Sequence, residues 1–186
     1  MVEVLPLVIA ALAVVTTHPE SSAANRARPA IRRDPHVLLT AIDRPVRAAS
    51  RDMQQLLVRG MARSQTFADL MAALDVSDVI VYVEANRNLP ASIAGRMLFA
   101  TASQDGPRYV RVQIDDRAST DLKIAAIGHE LQHALEVAGA SDVRTTEGLA
   151  RFYERIGTRG PTSGTYDTTA AQTTGRRVLF ELQGVG

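Results

Sequence analysis

The chain of 186 residues contains no cysteine and no tryptophan. Without cysteine there is no disulfide framework, no thiolate metal site and no lipid-bearing thiol, so any metal must be held through nitrogen and oxygen. Aromatic residues make up only 4%, which leaves Leu, Ile, Val and Ala to build the core. A dominant charge is also missing. With 21 basic residues against 20 acidic ones the net charge is +1, which gives no electrostatic case for a nucleic-acid partner. No apolar run reaches the roughly 18 to 20 residues that a transmembrane helix needs.

The longest apolar run, Val4 to Val15, has the length of a signal-peptide core, and Ser22-Ala23-Ala24 supplies small residues for cleavage after Ala24. Residues 1–24 are therefore expected to be a signal peptide and the protein to be exported, periplasmic or extracellular. The alternative is an uncleaved anchor giving weak membrane association through the same segment. Residues 25–45 are rich in Arg, Pro and Ala without sustained periodicity and read as a linker. Its arginines are not interleaved with aromatic residues, which favours a solvated tail over a phosphate-binding surface. His18 falls in the leader and His36 in the linker. The folded domain is expected over 46–186, a length that suits a single domain.

Two of the four histidines carry the chemistry. His129-Glu130-Leu131-Gln132-His133 is an HExxH motif, in which imidazoles four residues apart share one face of a helix about 6 Å apart along its axis and can reach one ion. Zinc held by two imidazoles and a third protein ligand keeps one position open, lowers the pKa of water there to about 7 and polarises a carbonyl. Glu130 would lie beside the ion without binding it, where a carboxylate is a general base. The competing reading is a pair of histidines that happen to sit one turn apart on a packing helix.

Thr120 to Ala138 reads as one amphipathic helix, with Ile124, Ile127, Leu131, Leu135 and Ala138 as its core stripe, Thr120 as N-cap and Gly139 as stop. His129 and His133 project nearly opposite that stripe, so the metal face is expected to turn away from the main packing face, with Ala125 and Ala126 leaving a cleft. Upstream, Val46 to Met61 and a segment capped by Ser64 or Thr66 and ending near Leu74 read as helices. Asp78 to Glu84, Arg96 to Ala102 and Arg108 to Asp115 read as strands, the last two joined by a Gln104-Asp105-Gly106 turn. Alternation of Tyr109, Arg111 and Gln113 with Val110, Val112 and Ile114 predicts one buried and one wetter face. Downstream, helices are expected from Thr145 to Ile156 and Thr168 to Gln183, around a Gly157 to Gly164 loop. The expected fold is α+β, a small three-stranded antiparallel sheet covered on one face, in the order ααβββααα. An exposed edge strand beside the metal would let a peptide add by main-chain hydrogen bonds.

The third ligand decides the class. A metzincin would place Gly three and His six residues after the second motif histidine, where this chain has Glu136 and Gly139, and no histidine follows His133. The third ligand is therefore an acid. Glu136 shares the histidine face but lies beyond His133, as a supporting or solvated group. Glu147 would open the next helix, where the dipole also explains it. Glu154 would come level with the histidines if that helix folds back. Asp167 precedes the last helix, where an N-cap role competes; Ala170 and Ala171 would let that helix approach closely, and Tyr166 could donate to a developing oxyanion.

The segments HELQHALEVAGASDV, RFYERIG and YDTTAAQTTGRRVLFEL together resemble small exported bacterial proteins of the gluzincin-like zincin type, over roughly residues 76–183. That resemblance implies a zinc metallopeptidase acting on a peptide or protein, with Glu130 as catalytic base. It makes Asp167 the first choice as third ligand after His129 and His133, ahead of Glu154 and then Glu147. In the family pattern a Glu stands where this chain has the shorter Asp167. The alternative function is a non-catalytic metal-binding or interaction protein on the same scaffold.

Overall fold

The computed structural model describes residues 9–10, 44–160 and 164–184. The expected signal peptide, apart from Ile9 and Ala10, the expected linker up to residue 43, and with them His18 and His36, lie outside the described residues.

The domain begins with a strand, β2 (Val46–Ala48), where periodicity had suggested the start of a helix. Ser50 marks the true boundary: its hydroxyl accepts from the Met53 amide, so α1 starts only at Arg51 and runs to Arg63. Ser64 then caps α2 (Gln65–Asp75) through the Phe67 amide. Three strands follow as expected, β3 (Val79–Ala85), β4 (Gly95–Ala102) and β5 (Arg108–Ile114).

Their pairing is not the expected antiparallel one. β4 and β5 do form an antiparallel hairpin, but β5 inserts between β4 and β3 and runs parallel to β3, and β2 runs parallel to β3 on its far side. The result is a mixed sheet in the order β4-β5-β3-β2. At the free edge of β4 a two-residue strand, β1 (Ile9–Ala10), adds antiparallel. The hairpin turn was legible, but β3 is joined to it by residues 86–94, long enough to let β5 rather than β4 be its neighbour. The expected alternation holds on β5 as far as Val112, with Val110 and Val112 fully buried and Arg111 exposed, but Gln113, expected on the wetter face, is buried among bonds to Glu84, Asn86 and Arg96.

The motif helix α3 (Thr120–Ala138) has the expected span and stops at Gly139, but its N-cap is Ser119 rather than Thr120. It is followed by α4 (Thr146–Ile156), capped by Thr145, and by a hairpin of β6 (Thr158–Arg159) and β7 (Tyr166–Asp167) in the region read as a loop. The last helix, α5 (Thr169–Leu182), is capped by Thr168, whose hydroxyl accepts from the Ala171 amide. Helices α1, α2 and α3 pack on the sheet, and α5 lies across α3 as a further layer.

Over residues 124–131 helix α3 is therefore buried on every side, and His133 beyond them is buried too, which corrects the expectation that its histidine face turns outward. Its hydrophobic stripe packs into the main core through Ile124, Ile127 and Leu131, while α5 and β7 cover the opposite side. Ala125 and Ala126 do not line a cleft; both are buried. The close approach of α5 depends on Gly175, where an added Cβ would lie only 3.1 Å from the His129 Cβ and 3.4 Å from the Ala125 carbonyl oxygen. Buried Arg108 fixes the other end of α3. With no basic residue in the last turn of that helix, the Arg108 guanidinium supplies the missing donors, to the carbonyls of Val137 (2.7 Å), Ala138 (3.2 Å) and Ala140 (2.6 Å), while pairing with Asp78.

Candidate metal centre

His129 and His133 lie one turn apart on α3, with ring centroids 4.9 Å apart and planes nearly perpendicular at 76°. The β6–β7 pairing sets Asp167 opposite Thr158 and carries its carboxylate to the two rings. Asp167 Oδ1 is 3.3 Å from His129 Nε2 and 3.5 Å from His133 Nε2. Ligands at about 2.0 to 2.2 Å from a tetrahedral ion are separated by about 3.3 to 3.6 Å, so these spacings suit atoms that share a cation. His129, His133 and Asp167 form a buried group that could hold a metal ion.

The hydrogen-bond inventory fits the same conclusion. Despite their proximity to Asp167, neither Nε2 atom has the alignment of a hydrogen bond, so both remain without a partner, as does Glu130 Oε2. Buried polar atoms left unpaired are costly, and a cation between them would satisfy the two imidazole nitrogens and the facing carboxylate at once. The donor set, two imidazoles and one carboxylate with no sulfur, suits a divalent first-row cation.

Around the group, His133 and Asp167 are held by further hydrogen bonds, whereas His129 Nδ1, like its Nε2, has none. His133 Nδ1 meets Glu136 Oε2 at 2.9 Å, the carboxylate–histidine pairing that fixes the tautomer of a ligating imidazole. Glu136 in turn accepts from the Tyr153 hydroxyl at 3.2 Å and the Thr168 hydroxyl at 2.6 Å, so α3, α4 and the start of α5 converge on one carboxylate. Tyr153 also bonds the His133 carbonyl at 3.1 Å. Asp167 accepts from the Thr168 amide (2.7 Å) and from Gln172 Nε2 (3.0 Å). The N-cap role weighed for Asp167 belongs to Thr168, which leaves an Asp167 oxygen facing the rings. The short Asp side chain suffices because a strand, not a helix end, brings its backbone close.

The charges are strongly coupled. Burial pushes the Glu130 carboxyl up to about 7, against the pull of His129 and His133. Burial disfavours a charged His133 as well, but the Asp167 and Glu136 carboxylates overcome it and carry the imidazole up to about 9. For Asp167 itself, burial is likewise outweighed by His129 and His133, and its carboxyl is held well below the usual range. Burial and the neighbouring Glu136 raise the Tyr153 phenol, which stays a neutral donor.

The other acids weighed as ligands do not reach the group. Glu154 is exposed and accepts from the Tyr166 hydroxyl at 3.3 Å; Glu147 is exposed in the first turn of α4. Tyr166, expected to donate to a developing oxyanion, is buried and carries its hydroxyl against that Glu154 carboxylate. Tyr153, which sequence reasoning passed over, is the tyrosine that touches the site. Gly95 was missed too. Lying at the start of β4, it admits the Glu130 side chain beneath the sheet edge, since a Cβ there would fall 3.0 Å from Glu130 Oε1. Nothing local in the sequence marks either residue.

No protein-family model, curated protein or solved structure matches the chain. The structure itself shows a buried group of His129, His133 and Asp167 that could hold a metal ion, with the two histidines one turn apart on α3.

Proposed function

We propose that this protein is a zinc-dependent metallopeptidase, in which His129, His133 and Asp167 hold the ion. When bound, zinc supplies Lewis-acid polarisation of a peptide carbonyl and acidifies water. Glu130 accepts the proton of the attacking water and returns it to the leaving amine. Its burial supports that role, because a carboxylate taken out of water beside the group is a stronger proton acceptor than a solvated one. Glu136, through His133 Nδ1, and Gln172, through Asp167, orient the ligands. The observation that carries the reading is the convergence of Asp167 on the two Nε2 atoms beside an unpaired Glu130 oxygen.

The enclosure of the group favours one rival, a metal-binding or interaction protein that does not turn over peptide, because all three ligands are buried. Elemental analysis of untagged protein, paired with cleavage of an unstructured peptide by the wild type and Glu130→Gln, separates the two. Stoichiometric zinc in both, with cleavage only by the wild type, supports the peptidase. Zinc without cleavage in either supports the rival. Absence of zinc from both sinks the pair of readings. Export, and with it a periplasmic or extracellular substrate, is part of the proposal and is supported by the Val4 to Val15 run and the small residues ending at Ala24.

A further inference from the structure

We propose that the side of the sheet turned away from the helices is a docking surface for an anionic lipid membrane, on which Arg47, Arg96 and Arg111 meet the headgroups while Tyr82 and Tyr109 settle at the interface. The inference is independent of the peptidase reading and of the apolar N-terminal run.

Strand alternation divides the sheet into two faces. Val79, Val81, Val83, Met97, Val110 and Val112 are fully buried in one core with the helices, so the side chains between them emerge on the other face. Cross-strand register sorts that face into rows. Arg47, Tyr82, Arg111 and Leu98 lie side by side across β2, β3, β5 and β4, with Ile80 and Tyr109 next to them on one side and Glu84, Gln113 and Arg96 on the other. Tyr82 keeps 36% of its surface exposed, and the Arg111 side chain 49%.

The charges on this face do not balance. Glu84 is already taken, by Arg111 at 2.6 Å and by Gln113 at 2.5 Å. Arg96 donates to the neutral Gln113 amide oxygen at 2.6 Å, and Arg47 to the Tyr82 hydroxyl at 3.1 Å and the Arg44 carbonyl at 3.0 Å. Among the described residues neither Arg47 nor Arg96 has a carboxylate partner, so positive charge collects on this face of a chain whose net charge is only +1. The three cations stand on separate strands, spaced about 5 Å from strand to strand, and not in a groove. Such a spread matches a plane of anionic headgroups better than one acidic chain. Tyrosine, with an apolar body and a polar tip, is a side chain that favours the membrane interface, and half-buried Ile80 and Leu98 add apolar surface beside it. The metal group hangs from α3 on the opposite side of the sheet, so docking of this face leaves it turned away from the lipid.

The test is co-sedimentation of the full chain, at low ionic strength, with vesicles of phosphatidylcholine alone or of phosphatidylcholine and phosphatidylglycerol in equal parts. The protein is expected on the anionic vesicles and not on the neutral ones. A basic residue near an anionic surface is worth about fivefold in partition, so Arg47→Gln/Arg96→Gln should lower binding about 25-fold. Arg59→Gln/Arg151→Gln, which removes two exposed arginines from α1 and α4, changes the net charge equally and should leave binding nearly unchanged. Glu84→Gln should raise it on anionic vesicles alone, a gain that misfolding does not produce. Because the chain has no tryptophan, Tyr82→Trp supplies a single reporter, whose emission should shift to the blue on anionic vesicles while that of Phe180→Trp on α5 does not. Absence of binding overturns the proposal. So does equal binding to neutral vesicles, which assigns adsorption to the apolar N-terminal run, and so do equal losses in the two double variants, which assign it to net charge. Tighter binding to soluble polyglutamate than to the vesicles, lost with Arg47 and Arg96, would give the face to an acidic polypeptide and overturn it as well.

Discussion

Raising the pH from 7 to 9 should tighten zinc binding by roughly two powers of ten, and the reason lies in the company His133 keeps. Burial alone would drive a proton off this imidazole, yet Asp167 and Glu136 overcome burial and bring its pKa to about 9. At pH 7 the metal-free protein therefore holds a proton where the ion must bind, and each ion displaces about one proton. The cost is about two pH units, or about 2.7 kcal/mol at pH 7, and it vanishes as the pH passes 9. Glu130, with its carboxyl near 7, adds to the slope below neutrality. Competition against a chromophoric chelator at pH 7, 8 and 9 measures the slope, and calorimetry in buffers of different ionisation enthalpy counts the protons. An affinity that stays flat across this range, with no proton released at pH 7, would refute the placement of His133 between two carboxylates.

The same linkage governs metal-free stability. His133 is raised above its unfolded value, so its stabilising contribution is complete below about 6.5 and lost as the pH rises through about 9; Glu130, raised from 4.5 to about 7, also favours the folded state at the acid end. Asp167 acts oppositely but only below about pH 4, so chelator-treated protein should melt at a higher temperature at pH 5 than at pH 9, as calorimetry will show. Glu130→Gln should keep zinc at full stoichiometry while lowering peptide turnover at least about 100-fold, and an active variant would remove Glu130 from the chemistry. Gly175→Val forces a side chain against the His129 Cβ, and should cost about 1 to 3 kcal/mol in urea denaturation and weaken zinc binding. Arg108→Ala removes the donor to the carbonyls of Val137, Ala138 and Ala140, and is expected to cost about 1 to 3 kcal/mol in the same assay.

Some of this could be read along the chain because it depends on neighbours in sequence. The spacing of His129 and His133, the span of α3 to its stop at Gly139, and the hairpin joining β4 to β5 are all local matters. So are the Ser64 cap and the alternation along β5. In each, residues a few positions apart decide the geometry through helical pitch, strand pleat or turn chemistry. Absence of cysteine likewise limited the ligands to nitrogen and oxygen.

What the chain's order could not disclose is which distant pieces meet. The insertion of β5 between β3 and β4 turned an expected antiparallel sheet into a mixed one, because strand neighbours are chosen by burial across the whole domain. Asp167 was only one of several acids until the β6–β7 hairpin brought it to two rings more than thirty residues away. The layer formed by α5 converted an apparently outward histidine face into an interior one, with Gly175 permitting the contact and Glu136, Tyr153 and Thr168 closing around His133. Helical periodicity fixes the directions in which side chains leave their own backbone. Only packing decides what stands in their way.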